Sequence, residues 1–197
     1  GVGARHAGEA FGENYELPNM TAYNETCAAI SMVYLFERMF LLHGESKYID
    51  CMERTLYNGV ISGMSMDGGR FFYPNPLSSD GKYAFNADGN TTRQPWFGCA
   101  CCPSNLCRFI PSVPGYLYGV KDNNIYVNLF AGNTSTIKVN GKDVVLEETT
   151  EYPWNGDIKI AVKKSGVKNA NLLVRIPGWV RNQVVPSDLY KYSDAEK

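Results

Sequence analysis

Two stretches in the first third of the chain repeat apolar residues every three or four positions. The first runs from Ala28 to Leu42 and carries Ile30, Val33 and Phe40 on its apolar side, and the second runs from about Ser46 to Ile61. This period is typical of an α-helix with a broad buried face. A glycine lies between the two stretches, so the pattern predicts two helices joined by a tight turn, an antiparallel helical hairpin.

The next segment, from Gly63 to Pro95, lacks this periodicity and is rich in Gly, Asn, Asp, Ser and Pro. We expect a long loop region with short strands, and long irregular segments in compact domains often form functional walls. A third helix is predicted from Pro103 to about Pro111, since proline is favoured in the first helical turn. Cys101 and Cys102 would then lie just before a helix N-terminus, whose partial positive charge favours thiolates.

After Pro114 the chain changes to short apolar segments separated by Asn-Gly or Gly turns, which predict strands. These segments are 125–130, 136–139, 144–146, 158–162 and 172–176. The sequence therefore predicts an α+β protein that divides near residue 115. The helical part covers residues 1–115, and residues 116–197 form an antiparallel β part, interpreted as an incomplete sandwich with no flexible linker before it.

Composition narrows the range of partners. The 197 residues have a net charge of -1 without clustering of basic residues, so neither nucleic acid nor a membrane surface is expected as a partner. The sequence has no run of 18 apolar residues, and the first residues lack the apolar core of a signal peptide. The aromatic fraction of 13% suits a small neutral or carbohydrate ligand as well as a core. The chain begins without Met, so we expect a piece of a longer protein, and both cytoplasm and periplasm remain open.

The adjacent pair Cys101 and Cys102 is the most unusual chemical feature. A disulfide between neighbours is strained, because consecutive α-carbons are about 3.8 Å apart and a relaxed bridge needs roughly 4.4 to 6.8 Å. Zinc accepts thiolate and carboxylate ligands in a tetrahedron, so Glu25, Cys27 and this pair are predicted to bind one zinc ion. Buried, unliganded cysteines are the alternative. A secreted disulfide framework is disfavoured, because four of the six cysteines lie within nine residues.

Such a zinc ion has two interpretations. It either only holds two segments together, or it also activates one thiolate as a nucleophile. The second interpretation needs an acid, and three carboxylates, Glu9, Glu13 and Glu16, occur together near the start of the chain. Small and aromatic neighbours would keep the Glu9 carboxyl protonated near neutral pH, as a proton donor requires. The alternative is that all three lie on a solvated surface.

Several motifs together resemble the zinc-dependent β-L-arabinofuranosidase family of glycoside hydrolases. The resemblance extends over nearly the whole chain and is carried by Gly8-Glu9-Ala10-Phe11, Tyr15-Glu16-Leu17-Pro18-Asn19, Tyr23-Asn24-Glu25-Thr26-Cys27-Ala28, Phe97-Gly98-Cys99-Ala100-Cys101-Cys102-Pro103-Ser104-Asn105, Pro114-Gly115-Tyr116 and Arg175-Ile176-Pro177-Gly178-Trp179. The combination of Glu-Thr-Cys-Ala with Cys-Ala-Cys-Cys-Pro is highly specific.

The resemblance implies the last helices of an (α/α)6 barrel followed by a β-sandwich domain. It implies retaining hydrolysis of β-L-arabinofuranosides of plant cell-wall glycans, with Cys101 as nucleophile and Glu9 as general acid/base. It also implies a zinc ion bound by Glu25, Cys27, Cys101 and Cys102. The ordinary retaining template uses two carboxylates, and here a thiolate replaces one of them.

By family position, Tyr73 is expected to contact the nucleophile or the sugar, and His6 is expected to contact the sugar ring. Taken alone, Tyr73 would be a packed loop aromatic and His6 a surface histidine, whereas Cys107 is expected to be buried. The resemblance also implies missing barrel helices, so activity of the isolated chain is doubtful and self-association through exposed helix faces is expected. Two alternatives remain: a family member acting on another branched or acidic deoxy sugar, and a non-catalytic carbohydrate-binding or structural module with a zinc staple.

Overall fold

The computed structural model describes residues 10–191 and residue 193. Its α-helices are α1 (Thr26–His43), α2 (Ser46–Thr55) and α3 (Cys101–Phe109). The helix after Ser46 extends as predicted, but its last part is a π-helical turn, Leu56–Val60, followed by a 3-10 turn, Ile61–Gly63. Gly44 ends α1 with a φ of 70°, and its N–H donates to the carbonyl of Phe40 at 2.7 Å. A left-handed glycine is the usual end of a helix, so the first two predicted helices are confirmed.

Helix α3 begins two residues earlier than predicted, which corrects the placement of the cysteine pair. Cys101 and Cys102 form the first turn of α3 rather than the loop before it, and a 3-10 segment, Ile110–Tyr116, follows the helix. Pro103 is tolerated at the third helical position because the first backbone N–H groups of a helix have no partner within it. The proline therefore correctly indicated the first turn of the helix but not the residue at which the helix begins.

The region between Met64 and Ala100 is irregular, as predicted, but has isolated bridges instead of short strands. Phe71 forms bridges with both Met64 and Gln94, and Asn86 pairs with Asn90. A 3-10 turn, Ala87–Gly89, is the one helical element here within the described residues.

Six strands follow: β1 (Tyr118–Lys121), β2 (Asn124–Val127), β3 (Asn133–Val139), β4 (Lys142–Thr150), β5 (Ile158–Ser165) and β6 (Asn171–Val174). They form two three-stranded sheets, in the orders β1-β2-β6 and β3-β4-β5. All neighbours are antiparallel except β2 and β6, which are parallel. The expectation of a purely antiparallel part is therefore wrong, because β6 does not continue the β3-β4-β5 meander and pairs with β2 instead. Strand β1 was not predicted.

The apolar core of the β part draws on both sheets. Ile125 of β2, Val139 of β3 and Leu146 of β4 are at most 2% exposed and belong to one cluster. Polar contacts add to it: the buried Arg175 donates to Asp50 at 2.7 Å and to the carbonyl of Asn128 at 2.6 Å.

The chain separates into two compact units. One is the described part of Gly1–Met39 together with Cys51–Pro111, and the other is Phe40–Asp50 together with the described part of Ser112–Lys197. Mixed α and β structure with few helices and small sheets is thus confirmed.

Helix α1 is the one described helix long and apolar enough to cross a membrane by length and composition. It includes Glu37 and Arg38. A single such helix is weak support for a membrane span, because core helices of globular proteins meet the same criterion.

Candidate functional site

Three thiols and one carboxylate meet where the start of α1 approaches the start of α3. Glu25 directly precedes α1 and Cys27 is its second residue, whereas Cys101 and Cys102 open α3. One ligand atom from each of these four residues lies within 4.8 Å of all the others. The structure thus brings together the four residues that the sequence assigned to zinc, across some 75 intervening positions.

One carboxylate oxygen of Glu25 contacts both of the adjacent thiols. The Cys102 thiol donates to Glu25 Oε1 at 3.5 Å, and the Cys101 thiol lies 3.7 Å from the same oxygen. The two sulfur atoms are 4.0 Å apart, so the cysteines are free thiols. Sulfur and carboxylate oxygen are both ligands of zinc, and the residues present fit such an ion.

Burial favours the neutral form of two thiols of the cluster, those of Cys27 and Cys102. Cys102 is fully buried, and burial raises its pKa far above the usual range of a thiol. Burial also raises the pKa of Cys27 to about 11, outweighing a hydrogen bond from Asn105. A divalent cation would reverse this balance, because metal binding displaces protons from cysteine ligands.

Tyr73 contacts the cysteine pair from the irregular region. Its hydroxyl oxygen lies 2.7 Å from Cys101 Sγ and accepts a hydrogen bond from the thiol. If Cys101 is ionised, the phenol becomes the donor in the same contact. Burial raises the pKa of Tyr73 above its usual range, and the hydrogen bond with Cys101 raises it further. Tyr73 therefore keeps its proton and is suited to stabilise a thiolate.

Backbone contacts hold this region against α1. The Thr26 N–H donates to the Tyr73 carbonyl at 3.0 Å, and the Thr26 hydroxyl bonds to the carbonyls of Phe72 and Tyr73. The buried Asn86 side chain accepts from the Tyr73 N–H at 2.8 Å and donates to the Thr92 carbonyl at 2.8 Å. The sequence analysis missed Asn86, because nothing in its neighbours indicates a partner thirteen residues away.

A pocket of about 250 Å³ adjoins this cluster. It is lined by Tyr23, Tyr73, Pro74, Phe85, Ala87, Asp88, Phe97 and Cys99. Phe97 packs edge-on against Tyr73, with ring centroids 5.8 Å apart. Tyr73 therefore connects the thiol cluster to the pocket, because its hydroxyl contacts Cys101 and its side chain lines the pocket.

Two family models match this chain. The sequence model of the β-L-arabinofuranosidase GH127 catalytic domain matches residues 1–115, and that of the GH127 middle domain matches residues 124–189. The chain belongs to the GH127 β-L-arabinofuranosidase family. The resemblance seen in the sequence motifs is thereby confirmed.

A curated relative is the non-reducing end β-L-arabinofuranosidase of Bifidobacterium longum subsp. longum, 35% identical over 188 residues. Among solved structures, a GH127 β-arabinofuranosidase is 60% identical with a TM-score of 0.90 over the whole chain. A GH127 β-L-arabinofuranosidase from Geobacillus stearothermophilus T6 is 42% identical with a TM-score of 0.79 over 91% of the chain. The chain spans 28% of the Bifidobacterium enzyme and 30% and 29% of the two structures.

Two residues assigned from the GH127 resemblance, Glu9 and His6, lie outside the described residues. Cys107 was expected to be buried but is exposed. Helical periodicity did not reveal this, because Cys107 lies on α3 next to the buried Leu106 and its own side chain faces outward.

Proposed function

We propose that the full-length protein containing this segment is a retaining glycoside hydrolase that acts on β-L-arabinofuranosides of plant cell-wall glycans. The observation that carries the proposal is the contact between Tyr73 and Cys101 inside the thiol and carboxylate cluster of a GH127 chain. A reactive thiolate needs a partially exposed, hydrogen-bonded position, and Cys101 is half-buried beside a pocket.

In this proposal the resident metal is zinc, held by Glu25, Cys27, Cys101 and Cys102. The donor set supports zinc, because three thiolates and a carboxylate are ligands of a borderline-soft ion and do not suit Mg²⁺ or Ca²⁺. When bound, zinc supplies the positive charge that keeps the thiols ionised near neutral pH.

Four side chains have separate roles in the proposed reaction. The Cys101 thiolate attacks the anomeric carbon, and Tyr73 donates a hydrogen bond that orients the sulfur. Glu9 protonates the leaving oxygen and later takes a proton from the water that releases the sugar. His6 contacts the sugar. The roles of Glu9 and His6 rest on the family motif alone.

We also propose that residues 1–115 are part of an (α/α)6 barrel and residues 116–197 part of a β-sandwich. The two compact units and the separate matches to a catalytic and a middle domain support this division. Exposed apolar side chains on α1, including Met32, Leu35 and Leu42, support association of the isolated chain with further helices or with a second copy.

The test is release of L-arabinose from β-L-arabinofuranosides by the full-length protein, together with mass spectrometry of the rapidly quenched enzyme. We expect arabinose with retained configuration and a glycosyl adduct on the peptide containing Cys101. Cys101→Ala should abolish both, whereas Cys107→Ala, at an exposed thiol of the same helix, should leave both unchanged. If the protein hydrolysed only glycosides of acidic sugars, the proposed substrate would be wrong and the alternative of an acidic sugar would be favoured. If the protein bound sugars but hydrolysed none, the alternative of a non-catalytic carbohydrate-binding module would be favoured.

A further inference from the structure

The pocket beside Tyr73 has the size and the walls of a sugar site. Its volume of about 250 Å³ equals roughly eight water molecules at about 30 Å³ each, which accommodates a monosaccharide ring. Three aromatic side chains besides Tyr73 line it: Tyr23, Phe85 and Phe97. Small-molecule sites are mostly apolar and aromatic, with few polar groups that fix orientation.

Among the described lining residues, Asp88 is the one that carries a charge. Its side chain is exposed, and within the described residues its carboxylate accepts one long hydrogen bond, from the Gly98 N–H to Oδ2 at 3.5 Å. A carboxylate accepts several hydrogen bonds, so most of its accepting capacity remains for a ligand. None of the described lining residues is Lys, Arg or His.

The backbone fixes where Asp88 points. Its φ of 60° and ψ of 25° are left-handed, in the short turn Ala87–Gly89 that follows the buried Asn86. Aspartate and asparagine tolerate this conformation better than most residues. Left-handed non-glycine residues cluster at ligand-binding sites, and this one lies on a turn whose preceding residue also bonds to Tyr73.

We propose that this pocket binds a neutral sugar ring of the substrate, and that Asp88 selects it by accepting hydroxyl hydrogen bonds and by repelling sugars that carry a carboxylate. The inference rests on the proposed function, because it assigns a specificity residue to that site. Hydrogen bonds to a charged acceptor are stronger than neutral ones, which favours hydroxyls. A uronic acid would place a second negative charge near Asp88, and the described lining residues include no lysine, arginine or histidine that would attract it.

Equilibrium binding of L-arabinose and D-galacturonate to the full-length protein, measured by ligand-observed NMR, tests this directly. L-Arabinose in its pyranose form has the ring of galacturonate without the carboxylate, so the two probes are matched. We expect arabinose to bind at least tenfold more tightly. Asp88→Asn keeps the turn but removes the charge, and should weaken arabinose binding about fivefold while bringing the two affinities within threefold of each other.

Two further variants test whether the selectivity between the two sugars depends on Asp88 specifically. Asp80→Asn alters an exposed carboxylate of the same region that lies outside the pocket lining and accepts from the Lys82 and Tyr83 N–H groups; both affinities should stay within twofold. Tyr23→Leu removes an aromatic wall and should weaken both sugars about equally.

Equal affinity of the wild-type protein for both probes would overturn the proposal. So would unchanged selectivity in Asp88→Asn, whether both affinities persist or fall together. Failure of the full-length protein to release arabinose from arabinosides would instead overturn the proposed function. That outcome is measured by the hydrolysis assay, independently of the two binding affinities.

Discussion

The side-chain oxygen of Asn86 accepts a 2.8 Å hydrogen bond from the backbone N–H of Tyr73, the residue whose hydroxyl lies 2.7 Å from Cys101 Sγ. Asn86 is 3% exposed and also donates to the Thr92 carbonyl. One buried amide therefore ties an irregular segment into a fixed position beside the thiols. The described residues between Met64 and Ala100 form isolated bridges and one 3-10 turn but no strand, so strand pairing does not fix this segment.

Asn86→Ala should lower the free energy of unfolding by about 1 to 3 kcal/mol, because backbone groups at Tyr73 and Thr92 lose their buried partner. Urea denaturation of the full-length protein measures this. Asn171→Ala, which removes an exposed side-chain contact with Asn124, should cost less than about 0.5 kcal/mol. Equal losses in the two variants would mean that Asn86 has no special structural role.

Tyr73→Phe should lower kcat by roughly 10- to 100-fold, since a hydrogen bond to a charged group contributes about 1.5 to 3 kcal/mol. We expect KM to change less than threefold if the lost contact is with the nucleophile. Steady-state kinetics on an arabinoside provide the measurement, and Tyr190→Phe at an exposed position is the control. A large rise in KM with unchanged kcat would assign the hydroxyl to sugar binding instead.

Gly63 packs against Thr26, which lies between Glu25 and Cys27, two of the proposed metal ligands. A Cβ at this position would lie 2.8 Å from Thr26 Oγ1 and 3.0 Å from its Cγ2. Gly63→Ala must therefore displace Thr26, and we expect a loss of about 1 to 3 kcal/mol in unfolding free energy and weaker metal retention during dialysis against a chelator. Gly156→Ala, where a Cβ meets nothing within 4 Å, is the matched control and should behave as wild type.

These cases show where sequence reasoning succeeds. The helix at Thr26–His43 follows from apolar period and a terminal glycine, both of which are local signals. The cluster of Glu25 with Cys101 was predicted because two adjacent cysteines cannot form a relaxed disulfide and zinc accepts both thiolate and carboxylate ligands. Asn86 and the parallel pairing of β6 with β2 were not predicted, because each depends on a partner that is distant in sequence and leaves no periodic pattern.

Elemental analysis of the reduced protein should find about one zinc per chain. Cys102→Ala should lose most of it, because removing a ligand leaves three donors and a cavity in a fully buried place. Cys107→Ala should retain it, since that exposed thiol is outside the cluster. Full zinc content in Cys102→Ala would exclude Cys102 as a ligand.

Glu148 of β4 should make the β unit less stable as pH rises. Glu148 is 2% exposed, its Oε2 accepts from the Tyr118 hydroxyl at 3.2 Å, and its buried Oε1 has no hydrogen-bond partner in the described part of the chain. Burial raises the pKa of this carboxyl above its ordinary value of 4.5, outweighing the hydrogen bonds that lower it.

The sign follows from proton linkage. Well below pH 4.5, Glu148 is protonated in both the folded and the unfolded chain, so its charge does not reduce the free energy of unfolding. As pH rises from 4.5 through the raised folded pKa, the unfolded chain releases the proton first, and stability falls by at most about 1.4 kcal/mol per pH unit. Glu148→Gln keeps the shape without the charge, so its unfolding free energy should lack this decline when measured by urea denaturation across that window. Glu151→Gln, at an exposed position, should keep the wild-type slope, and an unchanged slope in Glu148→Gln would mean that another buried group sets the pH dependence.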